Sequence, residues 1–528
     1  MADVPPATPP NLADLEKGGN PSFENDAAQT AANIPSQDSI DSAASDSKPL
    51  KAFSKWNVRI ESLLSLEARG IERVAPNERH SVSTSRYVQM TLLWFSANVT
   101  ANNLSLAFLG PIVYKLSFVD AALCSVFGSA LGSLLCAYIS TWGPRSGNRT
   151  MIIARYFMGY YPSKLCCLLN IVIMAGYGMI DCVIGGQILS AVADGHMTII
   201  VGIIIVAIIS LVVSVLGMSI FHLYERWAWI PQVLVLFVLI GASAGKYDTT
   251  YPSSGDSTTV TANRLTFFSL CLSAPVAWTP SAADYYVYYP ENTSRWLTFF
   301  MTSLGLILAS SIVDLIGVGL ASACISNSAF ESAYNTSSGN LILQGYRAAN
   351  LENFGKFCCV IIALGVIANN IPGTYSAALG IQVMGRYPKR VPRWILTIAV
   401  VIVYLACALG GRNSLSEIFE NFLALMGYWV TIFICIVAEE HFIFHRNREY
   451  DWTVWEDPKK LPVGIAALAA FLIGWAGAIV CMDQVYYVGP IAKLVGAEGA
   501  DLGIWVGSAW TLIVFPPMRM LELKYIGR

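Results

Sequence analysis

Long hydrophobic runs alternate with short polar segments along most of this chain. A helix needs about 20 mostly apolar residues to cross the ~30 Å hydrocarbon core of a bilayer. The pattern therefore predicts an all-α polytopic membrane protein with twelve transmembrane helices. The predicted spans, numbered 1 to 12, cover residues 87–112, 118–140, 163–191, 197–217, 226–245, 265–288, 297–321, 354–382, 394–411, 418–438, 461–481 and 501–518.

The composition agrees with a membrane protein. Of the 528 residues, 55% are hydrophobic and 13% are charged, and the mean hydropathy is +0.54. Soluble domains carry about 25% charged residues. The net charge of −2 does not point to a nucleic acid as a partner. Most of the twelve cysteines lie within apolar runs and no C-x-x-C spacing occurs, so we interpret them as small packing residues.

Residues 1–85 differ from the rest of the chain because they are rich in Pro, Ala, Ser, Asn and Asp. This composition predicts a largely disordered tail with a short amphipathic segment between Trp56 and Glu67. A charged region followed by an apolar stretch is missing there, so we expect no cleaved signal peptide. The predicted organisation is this tail, a ten-helix core over 86–440, and two peripheral helices with a short C-terminus over 441–528.

The loops that follow even-numbered spans carry most of the basic residues, including Arg145, Arg149 and Arg390. Such loops remain in the cytosol, so both termini are predicted to be cytosolic. This orientation places the sequon Asn335-Thr336-Ser337 outside the cell, where Asn335 is a candidate glycosylation site.

Two spans are interrupted by polar residues near their midpoints, at Trp94–Asn103 in span 1 and at Ser269–Trp278 in span 6. A spanning helix tolerates a broken backbone only where protein or a watery cavity satisfies the freed polar groups. Breaks at matching places in two halves of a chain mark the central site of a secondary transporter. We therefore predict an inverted five-plus-five repeat of the LeuT-like kind, followed by two C-terminal helices.

Spans 1 and 3 offer polar groups at depth. Asn98 and Asn102 are four residues apart, so they are predicted to share one helix face; they either face a ligand or join helices through hydrogen bonds. Tyr177 and Asp181 have the same spacing in span 3. Burying a carboxylate at mid-membrane is expensive, so Asp181 is a candidate for function, with pairing to the span 1 amides as the alternative.

Spans 6 and 8 add a second set of candidates. Pro275 is a predicted helix break, and Trp278, which follows it, is a candidate stacking surface, an interfacial anchor or a packing residue. Asn369 and Asn370 precede Pro372, another predicted break, and one of the two amides is expected to face a cavity while the other caps the kink.

Together these side chains are two aromatic faces with amide and carboxylate groups around them. A flat, neutral heterocycle with donors and acceptors on its rim suits this set best. Asp314 in span 7 is a second buried acid and, with Asp181, a candidate for proton coupling. His441 and His445 are one turn apart without a third ligand nearby, so no metal site is predicted.

Several motifs lie close to these residues. They are Arg69–Val74, Trp94–Asn98, Thr100–Asn103, Gly143–Gly147, Glu225–Gln232, Asn421–Leu423 and Gly427–Trp429. Because of these motifs, the chain resembles the nucleobase cation symporter-1 family, specifically its fungal cytosine/purine permease branch. The resemblance covers roughly residues 65–520. The resemblance implies twelve helices with an inverted repeat, and proton-coupled uptake of cytosine, adenine, guanine or hypoxanthine at the plasma membrane.

The resemblance also implies roles for single residues. The family's stacking tryptophan falls on Trp278, its span 3 aromatic residue on Tyr177, and its span 8 amide on Asn369 or Asn370. The span 3 amide that reads the substrate falls on Asp181, and there this sequence departs from the family, because an ionised carboxylate only accepts hydrogen bonds. Fungal vitamin B6 transporters resemble the same branch, so a pyridine-type vitamin is the main competing substrate.

The resemblance bears on the coupling ion as well. Sodium-coupled relatives bind the ion with hydroxyl groups before the span 8 amide. Here that stretch is Ile361–Gly365, which has no side-chain oxygen. Sodium is therefore disfavoured, a proton is the expected coupling ion, and no other cofactor is expected. A non-transporting nutrient sensor of the same fold is the alternative of another class.

Overall fold

The computed structural model describes residues 70–79, 84–216, 218–446, 449–496 and 499–528. Most of the predicted tail, with its amphipathic segment, lies outside the described residues. The described chain consists almost entirely of helices, with one two-stranded antiparallel hairpin.

The helices fall into long membrane-length elements and short connecting ones. In chain order they are α1 Thr84–Asn98, α2 Ala101–Ala107, α3 Leu109–Ile112, α4 Phe118–Ser140, α5 Trp142–Ser146, α6 Thr150–Met158, α7 Ser163–Val192, α8 Ile199–Leu216, α9 Met218–Ser243, α10 Ser257–Val276, α11 Arg295–Ser326, α12 Ser328–Thr336, α13 Ser338–Arg347, α14 Glu352–Val383, α15 Arg386–Lys389, α16 Arg393–Gly411, α17 Leu415–Ile418, α18 Ala424–Glu439, α19 Ile465–Cys481 and α20 Gly503–Ile526. A 3₁₀ helix covers Thr279–Tyr286, π-helical turns cover Phe419–Leu423 and Glu440–Phe444, and the hairpin pairs β1 Asp483–Gln484 with β2 Tyr487–Val488.

Within the described ranges, eight helices are long and apolar enough to cross a membrane, and two shorter apolar helices cover Ile199–Val215 and Ile465–Cys481. The all-α membrane class predicted from the hydrophobic pattern agrees with these helices. Some predicted ends were wrong. α10 begins at Ser257 rather than 265, and α20 extends to Ile526 rather than 518, because polar residues at a helix end continue the helix beyond its apolar stretch.

The long helices pack as two groups. The first group contains α1–α3, α4, α10 and α11, and the second contains α7, α8, α14 and α16. Small residues allow close approach within the first group, since a Cβ added to Gly132 of α4 would collide with the Leu272 carbonyl of α10. Gly128 lies against α10 in the same way, so the two glycines form a small-residue packing face on α4.

The predicted interruption of span 1 is present, because α1 ends at Asn98 and α2 starts at Ala101. In span 6 the helix continues through Pro275 and changes to a 3₁₀ helix after Val276, within the predicted interruption Ser269–Trp278. The predicted break at Pro372 is wrong. α14 continues through Pro372 to Val383, because a proline removes only one N–H and this part of α14 is buried on all sides.

The ends of the helices define two faces of the molecule. The C-terminal face is the one at which α20 and the chain end. It carries α5, α6, the Thr279–Tyr286 3₁₀ helix and the end of α14. The opposite face carries the start of α10, the Phe419–Leu423 π turn, and the hairpin between α19 and α20.

Candidate functional site

A narrow cavity lies between the two helix groups, beside the end of α10. Five predicted site residues line it, namely Tyr177, Asp181, Trp278, Asn369 and Asn370. Three helical segments that are distant in sequence thus contribute to one site. The remaining lining residues are Met174, Gly178, Ala277 and Gly373.

The two predicted aromatic residues face each other across this cavity. The ring centroids of Tyr177 and Trp278 are 6.4 Å apart, and the ring planes differ by 26°. A planar ring inserted between two others needs about 7 Å in total, at ordinary contact distances of ~3.5 Å on each face. If the two rings moved apart by less than about 1 Å, a flat ligand would fit between them.

Site residues also satisfy the carbonyl groups that the helix breaks set free. The Asn369 Nδ2 donates to the Ala97 carbonyl near the end of α1 at 2.5 Å. The Tyr177 hydroxyl donates to the Ala274 carbonyl near the end of α10 at 3.2 Å. In each case a residue of the second helix group donates a hydrogen bond to a carbonyl of a broken helix in the first group. A buried irregular backbone requires such partners.

Two acceptor atoms at the cavity are left without a hydrogen-bond donor in the described part of the chain. Asp181 accepts from Asn102 Nδ2 at 3.2 Å through Oδ1, but its Oδ2 has no partner. Asn369 uses its nitrogen on Ala97, and its Oδ1 has no partner. Both side chains are buried. Because buried polar atoms are nearly always bonded, these two acceptors are available to donors from water or from a ligand.

Asn98 and Asn102 support the site without lining the cavity. The expectation that they share one helix face was wrong, because the break between α1 and α2 separates them. Asn98 accepts from Trp278 Nε1 at 3.2 Å and donates to the Trp94 carbonyl at 2.9 Å, whereas Asn102 donates to Asp181. The predicted alternative of a pairing between Asp181 and a span 1 amide is thus present.

The two adjacent amides of α14 differ in what they contact. Asn370 Nδ2 donates to Ser210 Oγ at 3.3 Å and to Tyr404 Oη at 3.4 Å, and its Oδ1 accepts from Thr374 at 3.1 Å. Its amide therefore joins α14 to α8 and α16. Asn369 is the residue that presents a free acceptor to the cavity.

Asp314 lies in a different environment from Asp181. Ser129 of α4 donates to Asp314 Oδ2 at 2.9 Å and also contacts the Cys271 carbonyl of α10. Asp314 is buried inside the first helix group and does not line the cavity. Asn335 is exposed in α12, so its glycosylation remains a prediction.

Phe422 covers the site toward the face opposite the C-terminus, and the sequence did not predict this role. Its ring centroid lies 6.0 Å from that of Tyr177 at 75°. A Cβ added to Gly176 would collide with the ring, so the glycine permits this contact. The only sequence signal was the Asn421–Leu423 motif, which lies within the Phe419–Leu423 π turn.

A hydrogen-bond network closes the site toward the C-terminal face. Thr150 donates through its backbone nitrogen and its hydroxyl to Asp284 Oδ1, at 2.6 and 2.9 Å, which caps α6. Arg149 donates to the Asp284 carbonyl and to the Tyr375 hydroxyl, both at 3.0 Å. Because Tyr375 belongs to α14, the network joins the two helix groups.

Most of this chain matches a known protein family. Residues 76–507 match the model of a family described as permeases for cytosine/purines, uracil, thiamine and allantoin. The chain belongs to this family. The resemblance inferred from the motifs is confirmed, and a permease of this family is a membrane transporter and not an enzyme.

Several curated relatives match nearly the whole permease. Purine-cytosine permease fcyB of Emericella nidulans is 37% identical over 472 residues, which cover 89% of this chain and 91% of the relative. Vitamin B6 transporter TPN1 of Saccharomyces cerevisiae is 33% identical over 525 residues, 90% of each chain. Purine-cytosine permease FCY2 of Saccharomyces cerevisiae is 32% identical over 480 residues, 90% of this chain and 89% of the relative.

Among solved structures, the nucleobase-cation-symport-1 transporter Mhp1, closed with bromovinylhydantoin bound, matches with a TM-score of 0.64. The match covers 87% of this permease and 96% of that chain, at 15% identity. At this identity the likeness shows a shared fold and nothing about the substrate.

Proposed function

We propose that this permease imports nucleobases across the plasma membrane together with protons, by alternating access. The observation that carries the proposal is the pair of facing rings, Tyr177 and Trp278, with two unpartnered acceptors at the same cavity. Adenine and cytosine are flat and carry N–H donors on their edges, which Asp181 and Asn369 would accept.

Vitamin B6 is the second candidate substrate, and Asp181 is the observation that favours it. A carboxylate accepts from a protonated pyridine nitrogen or from hydroxyl groups, and a charged donor makes that bond stronger. The similarity to a vitamin B6 transporter over 90% of both chains supports this candidate.

In the proposed cycle, Asp181 is the proton-coupling residue. Once protonated, its Oδ2 becomes a donor, so the carboxyl group offers a donor and an acceptor, as an amide does. The first helix group then rocks against the second, in keeping with an inverted five-plus-five repeat of twelve helices. Both termini are cytosolic in this proposal, so the C-terminal face is the inner one.

Sodium is not the coupling ion in this proposal. The stretch Ile361–Gly365 has no hydroxyl group, and Gln232 already donates to the Ile361 carbonyl at 2.5 Å. Replacing sodium in the medium with choline should leave uptake unchanged, whereas a protonophore should abolish accumulation.

The deciding experiment is labelled-substrate uptake in yeast cells that lack their own nucleobase and vitamin B6 permeases. Unlabelled cytosine, adenine, guanine, hypoxanthine, pyridoxine and pyridoxal would compete in turn with one labelled substrate. Inhibition by bases at lower concentrations than by B6 forms supports nucleobase import, and the reverse order supports the vitamin. If neither class accumulates although the protein reaches the plasma membrane, a sensor rather than a transporter would be indicated.

A further inference from the structure

The Phe419–Leu423 π turn borders two cavities. Phe422 of this turn packs against Tyr177 and covers the central cavity. Glu420, two residues earlier, lines a second cavity near the face opposite the C-terminus, and this cavity has room for about one water molecule. Whatever holds the π turn in place therefore also keeps Phe422 over the central cavity.

The other acidic residues of the second cavity come from the hairpin and from the segment just before α20. They are Asp483 and Asp501. The hairpin is bonded directly to the π turn, because the Val485 backbone nitrogen donates to Asn421 Oδ1 at 3.1 Å. The second cavity thus lies where the π turn meets the hairpin and α20, and each of these parts contributes a carboxyl group to it.

Gln484 indicates that a water molecule binds in the second cavity. Its Nε2 donates to Tyr428 Oη at 2.7 Å and to Asp501 Oδ2 at 2.9 Å, which fixes the orientation of the amide. Its Oε1 then has no donor among the described residues, although the side chain is only 5% exposed and lines the cavity. A buried water bonds to about three polar groups, and Glu420 and Ser269 line the same cavity.

The carboxyl groups of Glu420 and Asp501 have no basic partner. Within the described ranges, no salt bridge includes either of them, and no basic residue lines the cavity. The titratable groups around the two are acids and tyrosines, namely Glu417, Asp483, Tyr114, Tyr428 and Tyr486. If both carboxyl groups were ionised, they would repel each other without a counter-charge.

Asp501 changes its charge near neutral pH. Burial raises the pKa of its carboxyl group to about 7. Hydrogen bonds from Tyr428, the Gly503 backbone nitrogen and Gln484 oppose this rise in pKa, whereas the charge of Asp483 adds to it. When neighbouring carboxyl groups titrate together, a proton belongs to the pair rather than to one residue. At neutral pH and below, the carboxyl groups of this cavity therefore hold a proton.

We propose that the second cavity binds one water molecule and one proton, which Glu420 and Asp501 share, and that this proton holds Phe422 over the central cavity. The protonated carboxyl group donates to the water, and the water donates to the ionised partner and to Gln484 Oε1. Hydrogen bonds to an ionised acceptor belong to the strong class. When the proton leaves, repulsion replaces this bridge, and the π turn separates from the hairpin.

The proton comes from the medium on this face and returns to it, so it controls closure without driving accumulation. The inference rests on the position of Phe422 and not on the proposed substrate or on the proposed coupling residue Asp181. It also gives the segment before α20 a part in closing the central cavity.

Closure of this face should therefore depend on pH. In the closed arrangement the pKa of Asp501 is about 7, whereas a carboxyl group in water has a pKa of about 4. The closed state binds the proton more tightly than the open state, so protonation favours closure. This preference should be complete below about pH 4, should fall as the pH rises to about 7, and should then level off.

Hydrogen–deuterium exchange on the purified full chain in lipid nanodiscs measures this closure. Rates would be recorded between about pH 4.5 and 8.5 and divided by the intrinsic exchange rate at each pH. In peptides that cover the π turn and the hairpin, protection should fall at least about tenfold over this range, as a difference of one pKa unit between the two states implies.

Two variants remove the proton site while keeping its shape. Glu420→Gln and Asp501→Asn are each neutral at one position at every pH, so protection should stay high and should change less than twofold between the two ends of the range. Glu331→Gln is the matched control, because Glu331 is an exposed acid of α12 that does not line the cavity. It should keep the pH dependence of the unaltered protein. Monodisperse elution would establish that each variant is folded.

Protection that does not change with pH in the unaltered protein would overturn the proposal. A pH dependence that persists in a folded Glu420→Gln or Asp501→Asn variant would overturn it as well. Asp181→Asn should leave the pH dependence of these peptides intact, and its loss there would assign the proton to the central cavity instead. None of these results depends on uptake, so the proposed transport function stands or fails separately.

Discussion

The indole nitrogen of Trp278 donates to the amide oxygen of Asn98 at 3.2 Å, so the break of α10 is tied to the break of α1. Asn98 is held in turn by its bond to the Trp94 carbonyl, and the Trp94 ring lies edge-on to Trp278 with centroids 5.8 Å apart. The ring that faces the cavity is thus oriented by a residue that does not line it.

This relationship predicts different effects for two substitutions. Asn98→Ala removes the bond that orients the indole but keeps the ring itself, so KM should rise about 2–10-fold, as the loss of one bond of 0.5–1.5 kcal/mol to the indole implies. Trp278→Ala removes the stacking surface and should abolish saturable uptake. Initial uptake rates across substrate concentrations would measure both, with surface expression followed by fluorescence. Normal KM in Asn98→Ala would show that the indole needs no such support.

Asn369 and Asn370 are adjacent in α14, and we expect their substitution to affect different properties of the permease. Asn369→Ala should raise KM at least tenfold, since it removes the free acceptor and the support of the Ala97 carbonyl. Asn370→Ala should mainly lower thermal stability, since its amide links α14 to Ser210 and Tyr404. Uptake kinetics and thermal unfolding in detergent distinguish the two outcomes. A larger KM effect at Asn370 would reverse the assignment.

The sequence anticipated site residues that depend on local helical spacing. Tyr177 and Asp181 lie on one face of the unbroken α7, as their spacing requires. The same rule failed for Asn98 and Asn102, because spacing has meaning only within a continuous helix. The hydrophobic pattern shows that a polar break exists, but not at which residue the backbone departs from the helix.

Features that depend on contacts between distant segments were not predictable from one sequence. Phe422 reaches Tyr177 only because a π turn redirects the start of span 10 and because Gly176 leaves room for the ring. Pro372 was expected to break α14, yet tertiary burial maintains the helix. Both outcomes are decided by packing between helices, which the order of hydrophobic residues does not encode.

Asp181 and Asp314 are both buried acids, and only Asp181 lines the central cavity. Asp181→Asn keeps the shape and the bond capacity at neutral charge but cannot exchange a proton, so the pH dependence of accumulation should disappear. Asp314→Asn should keep that dependence and lower the amount of folded protein, because its partner is Ser129 within one helix group. Uptake measured between pH 4.5 and 7.5 would test both. A pH profile unchanged by Asp181→Asn would exclude its coupling role.

The C-terminal face offers a test of closure that does not depend on the substrate. Tyr375→Phe keeps the ring, over which the Arg393 guanidinium lies at 4.6 Å, but removes the hydroxyl that accepts from Arg149. The two helix groups then lose one connection, so the face should open more often. Hydrogen–deuterium exchange in nanodiscs should be about tenfold faster in peptides covering Thr150–Met158 and Thr279–Tyr286, as the loss of a charge-assisted bond of 1.5–3 kcal/mol implies.

Tyr161→Phe is the matched control, because Tyr161 is exposed on the same face and its hydroxyl has no assigned part in the network. It should leave the exchange rates of both peptides unchanged. Faster exchange confined to Tyr375→Phe, with exchange in α19 and α20 unaltered, would show that the Arg149–Tyr375 bond stabilises the closed face. Identical exchange in the two variants would mean that the hydrogen bond from Arg149 to the Tyr375 hydroxyl does not hold this face closed.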